Sequence, residues 1–156
     1  MNATSITDIK KELEKRNHEE LISYCLRLAK FKKENKELVN FLLFHADELS
    51  GYMENIKQEM DESFLNMNTT NIYYIKKSVR KVLRNVLKRI RFTLSKQVEA
   101  ELLIHFCNCI LKHSIPVKKS VQLKNIYESQ LNKIEEALMT LHPDLQYDLR
   151  RQIEQP

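Results

Sequence analysis

Apolar residues recur along this chain at intervals of three and four, the spacing of one helix face, and no stretch alternates with the period-two rhythm of a strand. Ile6, Ile9 and Leu13 predict a helix over 6–16, with Ser5 or Thr7 as its N-cap. Asn17 opens a second helix reaching about Phe31; Glu20 stands at capping-box distance, and Leu21, Ile22, Cys25, Leu26 and Ala29 form the stripe. From Asn35 the positions Leu38, Phe41, Leu42, His45, Leu49, Tyr52, Met53, Ile56, Met60 and Phe64 stay in phase to residue 64. Ser50-Gly51 interrupts that run, and a break or kink is expected there, because glycine costs about 1 kcal/mol against alanine inside a helix.

The cap-rich segment 66–71 predicts a loop. A helix then spans 72–92, and another, capped by Thr93 or Ser95, spans 96–113 with Val98, Leu102, Phe106, Cys109 and Ile110 inward. Ser114-Ile115-Pro116 ends it, since proline disfavours helical geometry in the residue before it. Val121, Ile126, Leu131, Ile134, Leu138 and Leu141 predict a helix over 118–141, and Pro143 begins a last one carrying Leu145, Leu149 and Ile153. The expectation is an all-α fold of six or seven antiparallel helices, a multihelical bundle or an irregular α-α superhelix. It forms a single domain over 1–156, with an N-terminal helical hairpin at 1–33 and a main body at 35–156.

Composition sharpens this picture mainly through glycine. The 156 residues contain one, where average usage of about 7% would give about 11. Phosphate-cradling loops, hairpins and bulges all draw on glycine, so P-loop enzymes, dinucleotide-binding sheets, β-sandwiches and barrels are excluded on this reading. Three cysteines, Cys25, Cys107 and Cys109, make no disulfide framework and fit a reducing compartment. The first eight residues lack the basic-then-apolar order of a signal peptide, and the densest apolar run, Phe41 to Phe44, is far short of a membrane span. A cytoplasmic location without membrane contact is expected.

Charge is distributed less evenly than the net value of +5 suggests. The segment 72–92 holds eight basic residues and no acid. Seven of them, Lys76, Lys77, Arg80, Lys81, Arg84, Lys88 and Arg91, fall in an arc of roughly 140° at 100° per residue, while Arg89 lies outside it. Ile72, Ile75, Val79, Val82, Leu83, Val86 and Ile90 fill the opposite arc. Like charges four apart repel by a few tenths of a kcal/mol per pair, so something must offset the row. The nearer candidate is the preceding segment 45–64, where six acids stand against Lys57, so that acid would face base across a hairpin. The other is a phosphate-bearing partner, for which Tyr73, Tyr74 and Phe92 flank the row as stacking residues.

Candidate chemistry is sparse. Glu101, His105, Cys109 and His113 follow one another at intervals of four on one helix face and are zinc-ligand types. They lie along a line rather than around a point, however, and a site would need a ligand from another helix, such as His45, Cys25 or His142. No metal or cofactor is expected. Cys107 or Cys25 beside a histidine is conceivable as a nucleophile, but no motif supports it, and the carboxylate pairs Asp61-Glu62 and Glu135-Glu136 point about 100° apart on their helices. No catalytic residue is assigned.

Several segments carry a resemblance. Leu42 to Asp47, Lys57 to Asp61, Lys76 to Arg84, Glu99 to Cys107 and Leu138 to Tyr147 resemble a family of short, uncharacterised all-helical bacterial proteins. The resemblance implies a bacterial cytosolic helical domain and assigns no ligand or activity. The functional expectation is a non-enzymatic interaction or scaffold module that contacts a protein partner or itself. The alternative is nonspecific nucleic-acid binding through the basic face of the helix at 72–92, at Lys76, Lys77, Arg80, Lys81, Arg84, Lys88 and Arg91.

Overall fold

The computed structural model describes residues 4–156, which form eight α-helices, one short 3-10 turn and no strand. The all-α expectation holds, with one helix more than foreseen. Two compact units divide at Ala46/Asp47.

The N-terminal unit contains α1 (Ile6–Leu13), α2 (His18–Phe31) and α3 (Lys33–Phe44). Ser5 caps α1 by accepting from the Asp8 N–H at 3.1 Å. The capping box of α2 forms as its spacing predicts: Asn17 Oδ1 accepts from the Glu20 N–H at 2.8 Å, and Glu20 reciprocates on the Asn17 N–H at 3.2 Å. Helix α3 packs on α2, and Asn35 donates to the Leu28 carbonyl at 2.8 Å. The helix at 33–44 thus belongs with the N-terminal hairpin and not with the later helices. Neither α1 nor α2 buries a residue; in this unit Phe41 alone among the described residues is buried.

The C-terminal unit contains α4 (Leu49–Leu65), α5 (Ile72–Thr93), α6 (Lys96–Lys112), the 3-10 turn Val117–Lys119, α7 (Val121–Leu138) and α8 (Pro143–Gln152). Helix α6 is central: nine of its residues are buried, and α4, α5, α7 and α8 all pack on it. A helix apolar around most of its circumference needs neighbours on most sides. The ion pairs Lys57–Glu101 and Asp61–His105 advance together along α4 and α6, so those two helices run in the same sense, with α5 returning between them in the chain.

The break expected at Ser50-Gly51 falls earlier, at 45–48. Both His45 and Ala46 donate to the Phe41 carbonyl and close α3. Glu48 then caps α4, its carboxylate accepting from the Gly51 N–H at 2.8 Å. Gly51 therefore sits in a first helical turn, where its N–H has no intrahelical carbonyl to find, rather than in a helix interior. In α7 the inward phase also differs from expectation. Leu123, Tyr127, Gln130, Ile134, Ala137 and Leu138 are buried, whereas Val121 is 71% exposed, because the 3-10 turn delays the helix start to Ser120, whose hydroxyl caps it.

With so little glycine, side-chain-bearing residues must occupy the left-handed positions that end helices. Leu94 closes α5 at φ 51° and Ser114 follows α6 at φ 52°. A left-handed L-residue costs roughly 1–2 kcal/mol, and the Leu94 side chain, 93% exposed, contributes little packing in return. Leu94→Gly relieves that strain while enlarging the unfolded ensemble. The net expectation is about 0.5–1 kcal/mol of added stability, read as a thermal midpoint ~1–3 °C higher.

Candidate functional site

Asn71 starts α5, accepting from the Tyr74 N–H at 3.1 Å. Ile75, Val79, Leu83, Val86 and Ile90 then enter the core together. Burying that stripe turns the opposite arc to solvent. Lys77, Arg80, Lys81, Arg84 and Arg91 are exposed, and Lys76 and Lys88 are half-buried.

Three of the six carboxylates in the acidic segment are engaged away from this row: Glu59 pairs with Arg89, the one cation outside the arc; Asp61 pairs with His105; and Glu48 caps α4. Arg89 also lies 5.3 Å over the Tyr52 ring. Within the described residues no ion pair reaches Lys76, Lys77, Arg80, Lys81, Arg84 or Arg91. Of the hairpin neutralisation expected from the sequence, the pair Glu59–Arg89 forms, to a cation outside the row.

Both α5 and α7 pack on α6, and an open groove of about 730 Å³ is lined by the two. Its cationic wall is Lys76, Lys77, Arg80 and Arg84. Leu83 and Leu87 supply its apolar surface, Tyr73 stands at the N-terminal end of α5, and Gln122 reaches it from α7. Lys81, Lys88 and Arg91 lie outside the lining. Tyr74 packs edge-on against Tyr73 with ring centroids 5.4 Å apart. The sequence showed the cations and Tyr73 on one side of the helix. Gln122 carried no signal, since its contribution depends on where α7 packs.

The zinc-type residues of α6 separate. Glu101 pairs with Lys57 at 3.7 Å, and His113 stacks on Phe64 with ring centroids 5.7 Å apart. His105 and Cys109 meet a residue that sequence spacing did not single out, Asp61 of α4: His105 Nε2 lies 2.8 Å and Cys109 Sγ 3.4 Å from Asp61 Oδ1. Burial raises the Asp61 carboxyl, but the His105 and Cys109 hydrogen bonds and the charges of His105 and Lys112 outweigh it and hold the group below its usual range. Burial pushes the Cys107 thiol up to about 12; burial, then the Asp61 carboxylate, does the same to Cys109. Neither is a ready thiolate at neutral pH. Cys25 is exposed.

Comparison with protein-family models, curated proteins and solved structures finds no match. No helix among the described residues is long and apolar enough to cross a membrane.

Because Arg80, Lys81 and Arg84 have no ion-pair partner among the described residues, Arg80→Ala/Lys81→Ala/Arg84→Ala should not weaken the fold. Exposed substitutions usually fall within about 0.5 kcal/mol, and removing the Lys76/Arg80, Lys77/Lys81, Arg80/Arg84 and Arg84/Lys88 repulsions returns a few tenths each. The triple variant should melt at or slightly above the parent temperature in low salt, and the difference should shrink as salt is added.

Proposed function

We propose that the chain binds single-stranded nucleic acid without sequence preference, in the groove between α5 and α7. The observation that supports this most is the set of four groove-lining cations, none in an ion pair among the described residues, beside an apolar strip and a terminal tyrosine. Sequence-tolerant single-strand binders combine a positive track for phosphates with surfaces on which bases stack. Here Lys76, Lys77, Arg80 and Arg84 contact phosphates, Leu87 receives a base face, and Tyr73 stacks on one base. Arginine can grip a phosphate through two parallel N–H bonds, whereas lysine acts as a point charge, so Arg80 and Arg84 hold the strand more firmly. Phosphate contacts and base stacking need neither a nucleophile nor a cofactor, so the function proposed is binding rather than catalysis.

Neutralising about four to six phosphates gives a log–log salt slope of roughly −3 to −4 for a single strand. Fluorescence anisotropy with labelled homopolymers should show that slope. Arg80→Ala/Lys81→Ala/Arg84→Ala should weaken all sequences alike, because phosphate contacts position without specifying. Tyr73→Ala should cost about 1–3 kcal/mol with the slope unchanged. Absence of binding at about 50 mM salt refutes the reading, since the electrostatic contribution is strongest there.

A second reading, a module that associates with a protein partner or itself, is favoured by a different observation. Helices α1 and α2 bury nothing, while Phe31, Leu43 and Phe44 are 77%, 68% and 72% exposed. Contiguous exposed apolar groups mark contact surfaces, and Leu43 and Phe44 are neighbours in the chain. Leu43→Glu/Phe44→Glu should lower the sedimentation-derived mass of the free chain if copies associate there. An unchanged monomeric mass in parent and variant rules out self-association.

A further inference from the structure

We infer that Asp61, His105 and Cys109 form a zinc-binding site that joins α4 to α6. Their three ligand atoms lie within 4.8 Å of one another, and they come from two helices, so they surround a point as the residues of α6 alone do not. His105 and Cys109, four apart, share one face of α6, the spacing by which paired histidines on a helix chelate zinc. Asp61 supplies the carboxylate from across the interface.

A tetrahedral ion fits after small side-chain shifts. Zinc holds oxygen and nitrogen at about 2.0–2.2 Å and sulfur at about 2.3 Å, which separates neighbouring donors by about 3.3–3.7 Å. Asp61 Oδ1 and Cys109 Sγ, 3.4 Å apart, already meet this. The 2.8 Å Asp61–His105 hydrogen bond must open by about half an ångström for donors to reach that spacing. Cys109 is buried at the base, whereas the His105 and Asp61 side chains are 27% and 45% exposed, so a solvent molecule can complete the fourth position.

The donor set selects the metal. Magnesium and calcium take oxygen ligands, and neither uses a thiol or imidazole in this way. One sulfur, one nitrogen and one oxygen suit zinc. On binding, the zinc–sulfur bond forms as the Cys109 S–H bond breaks, and the proton passes to solvent. His105 binds as neutral imidazole through Nε2. The carboxylate and thiolate together balance the dication, with Lys112 opposing and Glu154 reinforcing the negative potential nearby.

The test uses the reduced full-length protein, stripped with chelator and titrated with Co²⁺ and then Zn²⁺. The expected result is one cobalt per chain, with a sulfur-to-cobalt charge-transfer band and the visible spectrum of a tetrahedral complex. Zinc should displace the cobalt and raise the thermal midpoint. Cys109→Ser should abolish the charge-transfer band. Asp61→Asn and His105→Gln should each weaken zinc at least tenfold, and Cys25→Ser should change nothing. If Cys109→Ser does not fold, the two part-exposed positions decide alone. A complex without the band in the parent, loss of the band in Cys25→Ser, or unchanged affinity in both Asp61→Asn and His105→Gln overturns the assignment.

Discussion

The burial of α6 is the constraint on which the C-terminal unit depends. Val98, Ala100, Leu102, Leu103, Ile104, Phe106, Cys107, Cys109 and Ile110 are all withdrawn from water, each large apolar side chain contributing roughly 1.5–3 kcal/mol relative to exposure. So much apolar circumference cannot be satisfied by one neighbour, and four helices gather round it. What remains for polar groups is a narrow seam, and Glu101 and His105 occupy it. Polar groups on a buried helix need partners, which draws Lys57 and Asp61 of α4 into register with them. Register between α4 and α6 and the gathering of Asp61, His105 and Cys109 are therefore consequences of one packing requirement.

The same requirement shapes the charge of α5. Three acids of the preceding segment are engaged elsewhere, Asp61 with His105, Glu59 with Arg89 and Glu48 as a helix cap. Helix α5 meanwhile commits its own apolar stripe to the core. With that stripe inward, Lys76, Lys77, Arg80 and Arg84 line the groove that Gln122 of α7 reaches, while Arg89 alone turns to Glu59 of α4. The unpaired cationic wall follows from how the neighbouring carboxylates were used and from which face of α5 the core demanded.

Periodicity made most of the helices readable, because burial imposes a 3.6-residue repeat wherever one face is covered. The Asn17–Glu20 box and the Ser95 cap were readable because capping is a local matter between residues three apart. Two expectations failed where local and tertiary signals part. The 35–64 stripe stays in phase across 45–48, so the pattern conceals the real break, and glycine, an interior breaker by propensity, serves as the recipient of a cap. In α7 the buried set includes Gln130, a polar residue that no apolar pattern selects. Asp61 was hidden for a related reason: its neighbours 44 and 48 positions away are set by helix packing, and on its own helix it resembles an ordinary solvated carboxylate. Likewise the cations of the groove could be read from α5, but the opposite wall could not.

The unpaired row carries an energetic consequence. Four like-charge pairs at i,i+4 disfavour α5 by a few tenths of a kcal/mol each, and among the described residues no ion pair reaches Lys76, Lys77, Arg80, Lys81, Arg84 or Arg91. For those six cations the offset is left to solvent and to bound ions. In the free protein it is supplied by mobile anions and by the high dielectric of water, both of which act weakly on charges fixed along a single face. A phosphate backbone presents its charges already aligned, and on binding it sheds its own condensed cations into solution. The favourable entropy of that release grows as salt falls, in the same conditions in which repulsion along α5 is greatest. The arrangement that costs the isolated helix most is thus the one that a polyanion would relieve most, which is the physical ground of the binding proposed for the groove.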